Sequence, residues 1–327
     1  MTIREQLEQH ETEFLAPQAC KSTDKGAVIR LKSETPCPYR TEFQRDRDRI
    51  LHCSAFRRLK HKTQVFLSPV GDHYRTRLTH TLEVAQVART ISRALFLNED
   101  LTEAIALGHD MGHSPFGHAG EAVLNRICPH GYKHYEQSVR VADIIEHLNL
   151  TYAVRDGIIC HTNKIASTRE GNIVRFADRI AYINHDIEDA FRAGVLTPED
   201  LPEEAVGILG HTKSERITTL VSAIVDHGAD EIGMKHEVQK AFGILHDFMY
   251  ANVYLNETCK KEEKKAERLV EVLYQHFRKF PDKMPEEYQK IASDSDIDRA
   301  VCDYISGMSD SFAVNLYSEL FIPEFWK

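Results

Sequence analysis

The sequence predicts an all-α fold, a helical bundle core carrying additional C-terminal helices. Three observations carry this prediction. Apolar residues recur at helical spacing through most of the chain. No alternating series of the strand kind stands out. Chain breakers fall between the periodic segments: Pro115 and Gly117, Pro129 and Gly131, Gly194, Pro198, Pro202, Pro281 and Pro285. A single domain is expected over 1–327, with a core at about 40–200 and a helical extension at about 201–327.

In chain order, the stretch 15–40, with Gly26, Pro36 and Pro38, reads as the least structured. Residues 43–59 place Phe43, Ile50, Cys53, Phe56 and Leu59 near one stripe. Residues 77–96 do the same with Leu78, Leu82, Val84, Val87, Ile91 and Leu95, and a further helix begins at Gly117. Segments 134–148, 171–193, 214–226, 234–255, 261–279 and 296–319 repeat the pattern. The run KKEEKKAER (260–268) reads as a solvated helix face rich in i,i+4 charge pairs.

Composition narrows the function. At 327 residues, 42% hydrophobic and 28% charged, the chain can bury a sizeable core. No run approaches the ~18 apolar residues of a membrane helix, and the charged N-terminus has no signal-peptide stretch. Seven cysteines, an odd number without a CxxC pair, read as reduced thiols of a cytoplasmic protein, neither ligand nor nucleophile. The net charge of −9 argues against a general nucleic-acid surface. Residues 40–62 reverse that balance, with eight Lys/Arg against three acids. Such a segment could hold a phosphorylated ligand or pair its arginines with acids nearby.

The chemistry is concentrated between 73 and 134, where seven of the 18 histidines fall (His73, His80, His109, His113, His118, His130 and His134). The words are RLTH (77–80) and HDMGHSPFGHAGE (109–121). Imidazole and carboxylate together suit a borderline divalent ion. His80, His109 and Asp110 are candidate ligands, and a fourth is expected from ADRIAYINHDIEDA (177–190), where Asp178, Asp186, Glu188 and Asp189 are available. His118 and Glu121, three apart at a helix start, read as a proton donor and the acid that orients it. Arg77 lies three residues before His80 and suits a phosphate held beside a metal. Gln64 could bond a sugar hydroxyl or a base edge. His52, His61, His211, His227, His236, His246 and His276 read as structural or surface residues, while His161 and His185 stay undecided.

At these residues the chain resembles the HD-domain phosphohydrolases, named for the order His…His-Asp…Asp. The words YRTEFQRDRDRILHCSAFRRLKHKTQVF (39–66), RLTHTLEVAQVART (77–90), HDMGHSPFGHAGE (109–121), HYEQSVRV (134–141), ADRIAYINHDIEDAFRAGVL (177–196) and DYISGMSDSFAVNLYSELF (303–321) look narrower still. From about residue 35 onward they are similar to the short subclass of bacterial deoxyguanosine triphosphate triphosphohydrolase-like proteins. The resemblance implies an HD-domain helical bundle and hydrolysis of dGTP, or of several dNTPs, to deoxynucleoside and tripolyphosphate. It implies metal ligands at His80, His109, Asp110 and Asp186, catalytic residues at His118 and Glu121, and substrate contacts from Gln64, Arg77 and His113. The choice of Asp186 over Asp178 or Asp189 rests on the resemblance alone. Manganese or magnesium is the expected metal, with iron, nickel, cobalt or zinc as alternatives.

Relatives also carry a tyrosine four residues, and an aspartate eight residues, after the last metal-binding aspartate, both contacting the sugar. Counted from Asp186 these positions are Ala190 and Gly194, so Asp189 is expected to recognise the 3′-hydroxyl instead. That leaves deoxy selectivity and base preference open. The next residue, a phosphate-binding lysine in some relatives, is Ile187, and Ser114 replaces a commoner proline. The resemblance further implies a homo-oligomer and an allosteric nucleotide. Single-stranded DNA, bound in the wider family, finds no support in the charge. A monophosphate or cyclic-nucleotide hydrolase would need less counter-charge than 40–62 carries. A non-catalytic sensor would have no use for His118 and Glu121.

Overall fold

A computed structural model describes residues 1–64, 75–255 and 257–323, with side chains throughout except at 257–261. His73, one of the clustered histidines, lies outside the described residues. Among those residues the chain is helical, and its only ladder-type contact is an isolated bridge between Thr63 and Thr76. The helices are α1 (Ile3–Phe14), α2 (Glu42–His52), α3 (Ser54–Arg58), α4 (Arg77–Ala94), α5 (Glu99–Gly108), α6 (Gly117–Ile127), α7 (His134–Arg140), α8 (Tyr152–Cys160), α9 (Arg169–Arg192), α10 (Glu203–Leu209), α11 (Lys213–His227), α12 (His236–Met249), α13 (Glu257–Lys279), α14 (Glu286–Asp294), α15 (Ile297–Ser306) and α16 (Asp310–Phe321). None is long and apolar enough to cross a membrane.

Local chemistry explains most boundaries. Thr41 and Gln44 form a capping box on α2, Thr76 and Thr79 one on α4, and Thr212 and Glu215 one on α11. The expected helix over 43–59 is broken at Cys53, which is extended, and the Glu146 carboxylate accepts from the freed N–H groups of Ser54 and Ala55. The expected helix over 296–319 breaks before Ser309, whose hydroxyl caps α16. Helices α1, α5, α8, α10 and α14 were not anticipated. The first two are set by caps at Thr2 and Asn98. The helices at 134 and 236 each end in a π turn, Val141–Ile145 and Tyr250–Tyr254, a distortion frequent beside functional sites.

Helices α4, α5 and α9 pack on one another at the centre, with α2 on α5, α8 on α5 and α9, and α11 on α4 and α9. They share one apolar core in which Ile50, Ile91, Leu101, Ile105, Ile158, Ile173, Ile180 and Ile183 are fully buried. Truncating any of these to alanine should cost about 2–5 kcal/mol. A second apolar cluster joins α6 to α13, α14, α15 and α16 through Val123, Leu124, Val270, Leu273, Val301 and Ile305. Polar clamps tie these C-terminal helices to the loop before α6. Lys62 Nζ donates to the carbonyls of His113 and Ser306, and Asp310 accepts from the backbone N–H of Phe116. Phe116 is left-handed at φ 61°, a conformation that costs a bulky residue energy and that this clamp helps to hold.

Candidate metal and phosphohydrolase site

The first turn of α4 presents Arg77 and His80, the end of α5 presents His109 and Asp110, and mid-α9 presents Asp178. Close packing brings the loop after α5 down onto α7. A Cβ at Gly112 would lie 2.2 Å from the backbone nitrogen of Ser138, so only glycine fits there. His80, His109 and Asp110 offer ligand atoms that all lie within 4.8 Å of one another, and all three are buried. Asp178 Oδ1 is 3.1 Å from His80 Nε2 and 3.8 Å from His109 Nε2, while Asp110 Oδ1 is 3.5 Å from His109 Nε2.

These spacings fit one ion. With bonds of about 2.1 Å, neighbouring ligands sit roughly 3.0–3.4 Å apart and opposed ones ~4.2 Å. The tautomer fits too. His109 Nδ1 donates to the Ala106 carbonyl at 2.6 Å, which leaves Nε2 as a bare, buried lone pair without a protein partner. Burial alone would raise the Asp178 pKa, but the His80 imidazole at 3.1 Å and then His109 hold it well below the usual carboxylate range. Asp110 is likewise held low against burial, by His109 and then Arg77. None of the candidate groups contains a cysteine, which fits a harder ion.

The carboxylate of α9 that the structure brings to this group is Asp178, not the expected Asp186. The two stand eight residues apart on α9, about 12 Å along the axis, too far to share an ion. Asp186 instead accepts from the Tyr254 hydroxyl at 2.5 Å, and burial pushes its pKa up to about 7. Its Oδ1 is buried without a protein partner. Asp189 does not reach this group. It receives Arg75 at 3.1 Å and Arg192 at 3.3 Å. His185, undecided from sequence, donates from Nδ1 to Glu83 at 2.7 Å and stands edge-on to the His80 ring at 5.0 Å.

Glu121 is the second correction. Its carboxylate does not orient His118. It accepts from both donors of His134, the backbone N–H at 3.1 Å and Nδ1 at 2.9 Å. One residue offering two convergent donors outcompetes the i,i+3 neighbour. His118 instead projects into the cavity, where burial by the surrounding walls and then the charge of Arg77 lower its pKa. His113 stands edge-on to it at 5.9 Å and stacks on His134 at 4.2 Å. Burial and Arg77 hold His113 neutral. Sequence reasoning assigned no role to His134, whose only signal was the word HYEQSVRV.

These groups line a cavity of about 820 Å³, well within the range that holds a drug-sized ligand. Gln64, Arg77, His80, Asp110, His113 and His118 all face it, and Gln64 Oε1 is buried there without a partner. Arg77 Nη1 bonds Asp110 Oδ2 at 2.8 Å. Among the described residues the other cation on the wall is Arg179, which sequence reasoning missed. Phe176, Tyr182, Phe242, Tyr250 and Tyr254 supply an aromatic end. The basic segment 40–62 does not reach the cavity. Arg45 and Arg49 pair with Glu34 at 2.6 and 2.5 Å, and Arg47 with Asp100 at 2.7 Å.

The model of the HD domain matches residues 77–183, and that of a phosphohydrolase-associated domain matches 232–319. A deoxyguanosinetriphosphate triphosphohydrolase-like protein of Caldanaerobacter subterraneus subsp. tengcongensis is 52% identical, covering 100% of this chain and 98% of its own length. A protein of the same name from Clostridium perfringens (strain SM101) is 49% identical, covering 99% of each. The crystal structure of a phosphohydrolase from Bacteroides thetaiotaomicron superposes with a TM-score of 0.53 at 17% identity, over 84% of this chain and 69% of that one. This last likeness is one of fold.

Proposed function

This chain belongs to the deoxyguanosinetriphosphate triphosphohydrolase-like family of HD-domain proteins, and from that premise we propose that it hydrolyses deoxynucleoside triphosphates to deoxynucleoside and tripolyphosphate. That it is a metal-dependent phosphohydrolase follows from the family. The finer reading rests on one observation: the convergence of His80, His109, Asp110 and Asp178 beside a cavity with two guanidinium groups and an aromatic end.

His80, His109, Asp110 and Asp178 would hold a divalent ion, manganese or magnesium first. When bound, such an ion supplies positive charge against a phosphoryl oxygen and acidity for a water molecule. Arg77 and Arg179 face the cavity as the counter-charge for a polyphosphate. Water adds to the α-phosphorus, the bond to the 5′-oxygen breaks, and tripolyphosphate departs intact. His118, free in the cavity with a lowered pKa, delivers a proton to the departing 5′-oxygen. His134, fixed by Glu121 and stacked on His113, keeps the imidazole wall in one tautomer.

Counting from Asp178 restores the sugar pattern that counting from Asp186 lost. Tyr182 and Asp186 stand four and eight residues on, and both line the cavity. The unpartnered Oδ1 of Asp186 offers an acceptor for the 3′-hydroxyl, and Gln64 Oε1 a second acceptor for the sugar or base. Arg179 takes the place that a phosphate-binding lysine holds in some relatives. A cytoplasmic homo-oligomer regulated by nucleotide belongs to the same proposal.

Phosphorus NMR of the protein with each dNTP, singly and mixed, with manganese or magnesium, tests this reading. Tripolyphosphate and deoxynucleoside are expected. Pyrophosphate or orthophosphate would move the protein to another class of HD hydrolase, and no turnover with any mixture would favour a nucleotide sensor.

A further inference from the structure

Among the described residues, His118 and Gln64 reach the cavity on side chains that no hydrogen bond holds. Their places are therefore set by the backbone that carries them. On the His118 side that backbone is strained. Phe116 and Gly117 are both left-handed, at φ 61° and 55°, and α6 begins there with no capping side chain of its own. The Gln64 side lies hard against it. A Cβ at Gly117 would stand 3.0 Å from the Gln64 carbonyl and 3.2 Å from Arg77 Nη2.

One carboxylate ties both segments. Asp310, in the first turn of α16, accepts from the Phe116 N–H through Oδ1 at 2.9 Å. Its Oδ2 accepts from the Thr63 N–H at 2.9 Å and from the Thr63 hydroxyl. Phe116 stands two residues before His118, and Thr63 one before Gln64. An acid in the first turn of a helix ordinarily serves that helix. Here α16 has its cap in Ser309, whose hydroxyl accepts from the Phe312 N–H, and the bonds of Asp310 leave the helix for the cavity segments. Lys62 repeats the device from the other direction. Its buried Nζ donates to the carbonyl of Ser306, at the end of α15, and to that of His113.

We propose that Asp310 is a positioning residue for the reaction, fixing His118 against Gln64 through the backbone of Phe116 and Thr63. The C-terminal region thereby contributes to the chemistry without touching substrate. This rests on the reading of His118 as the proton donor to the departing 5′-oxygen. Without the carboxylate, the left-handed turn that costs Phe116 energy can relax. The first turn of α6 then shifts and carries the imidazole with it, and a misplacement of ~1 Å can cost about 100-fold in rate.

The test is Asp310→Asn, assayed with a dNTP and with its analogue in which sulfur replaces the bridging 5′-oxygen. Asparagine keeps the volume but has one acceptor oxygen for two backbone N–H groups. A thiolate is a far weaker base than an alkoxide and departs without a proton, so the analogue has no need of His118. The variant should lose roughly 10–100-fold in kcat with the dNTP and keep most of its rate with the analogue. Loss of folded protein would lower both rates alike. His118→Ala, run beside it, should show the same selectivity. Selective loss in His118→Ala with equal losses, or none, in Asp310→Asn would overturn this inference alone. Equal losses in His118→Ala would overturn the proton-donor reading and this inference with it. Should Asp310→Asn fail to fold, Thr63→Val, which deletes only the hydroxyl donor to the same carboxylate, replaces it. Its loss with the dNTP should be smaller but equally selective, and wild-type rates with both substrates would contradict the proposal.

Discussion

Glu121→Gln is a small change with a calculable consequence. The carboxylate gives two acceptor oxygens to two donors of one residue, the His134 N–H at 3.1 Å and the His134 Nδ1–H at 2.9 Å. Glutamine has one acceptor and one donor group. If its oxygen keeps the backbone N–H, its amide N–H confronts the ring, and His134 must move its proton from Nδ1 to Nε2. That places an N–H where His161 Nε2 lies 3.2 Å away. If its oxygen keeps the ring, the buried backbone N–H is left unpaired. In the first case the ring must take the other tautomer, and in the second one hydrogen bond to a charged group is lost, worth about 1.5–3 kcal/mol, or roughly 10–100-fold. The variant should lose about that much kcat with dNTP while retaining the ion of His80, His109, Asp110 and Asp178. Steady-state kinetics, elemental analysis and a melting curve on the same preparation measure this. Wild-type kcat in a folded variant would refute the role given to the Glu121–His134 pair.

Other outcomes follow from the same geometry. Asp178→Asn should weaken metal binding at least as much as the 10–100-fold typical of losing a ligand's own hydrogen-bond partner, whereas Asp186→Asn should keep the metal and narrow the preference for deoxy- over ribonucleotide; metal content and paired substrate assays separate them. Loss of metal from Asp186→Asn instead would restore the discarded ligand. Arg77→Ala should raise KM for a triphosphate about 10-fold or more, since it removes a cavity cation, and an unchanged KM would take Arg77 off the phosphate. Glu170 gives a pH prediction away from the metal. Its Oε1 accepts from the N–H groups of Cys20 and Asn98, both at 3.0 Å, its Oε2 has no partner, and burial raises its pKa to about 7 from 4.5. The folded state holds this proton more tightly than the unfolded state, so its contribution is full below about pH 4.5 and is lost as the pH rises through 7. Between about pH 5 and pH 8 the loss is roughly 2–3 kcal/mol. Urea unfolding of Glu170→Gln should lack this part of the pH slope, and parallel slopes in variant and wild type would contradict the assignment.

What could be read from the chain was what is local. Helical periodicity gave the long helices, and the word HDMGHSPFGHAGE placed His109, Asp110, His113 and His118 together because a tight turn after a helix leaves them little choice. The fourth candidate ligand was not local. Asp178 and Asp186 lie on nearby faces of one helix and differ mainly in height along it, and only the docking of α9 on α4 decides which turn meets His80. Glu121 misled for the same reason, since its real partner sits thirteen residues on and arrives through the approach of α7. The arginines of 40–62 found acids at Glu34 and Asp100, outside the window in which their excess was counted. The π turn at Tyr250–Tyr254, which brings Tyr254 to Asp186, has no signature in apolar spacing.

The central claim is attack of water at the α-phosphorus with the 5′-oxygen leaving. Turnover of a dNTP in ¹⁸O-labelled water tests it most directly, with products read by phosphorus NMR and mass spectrometry. The label should appear on a terminal phosphorus of tripolyphosphate, with none in the deoxynucleoside. Label in the 5′-hydroxyl, or in a nucleoside monophosphate released with pyrophosphate, would contradict the account.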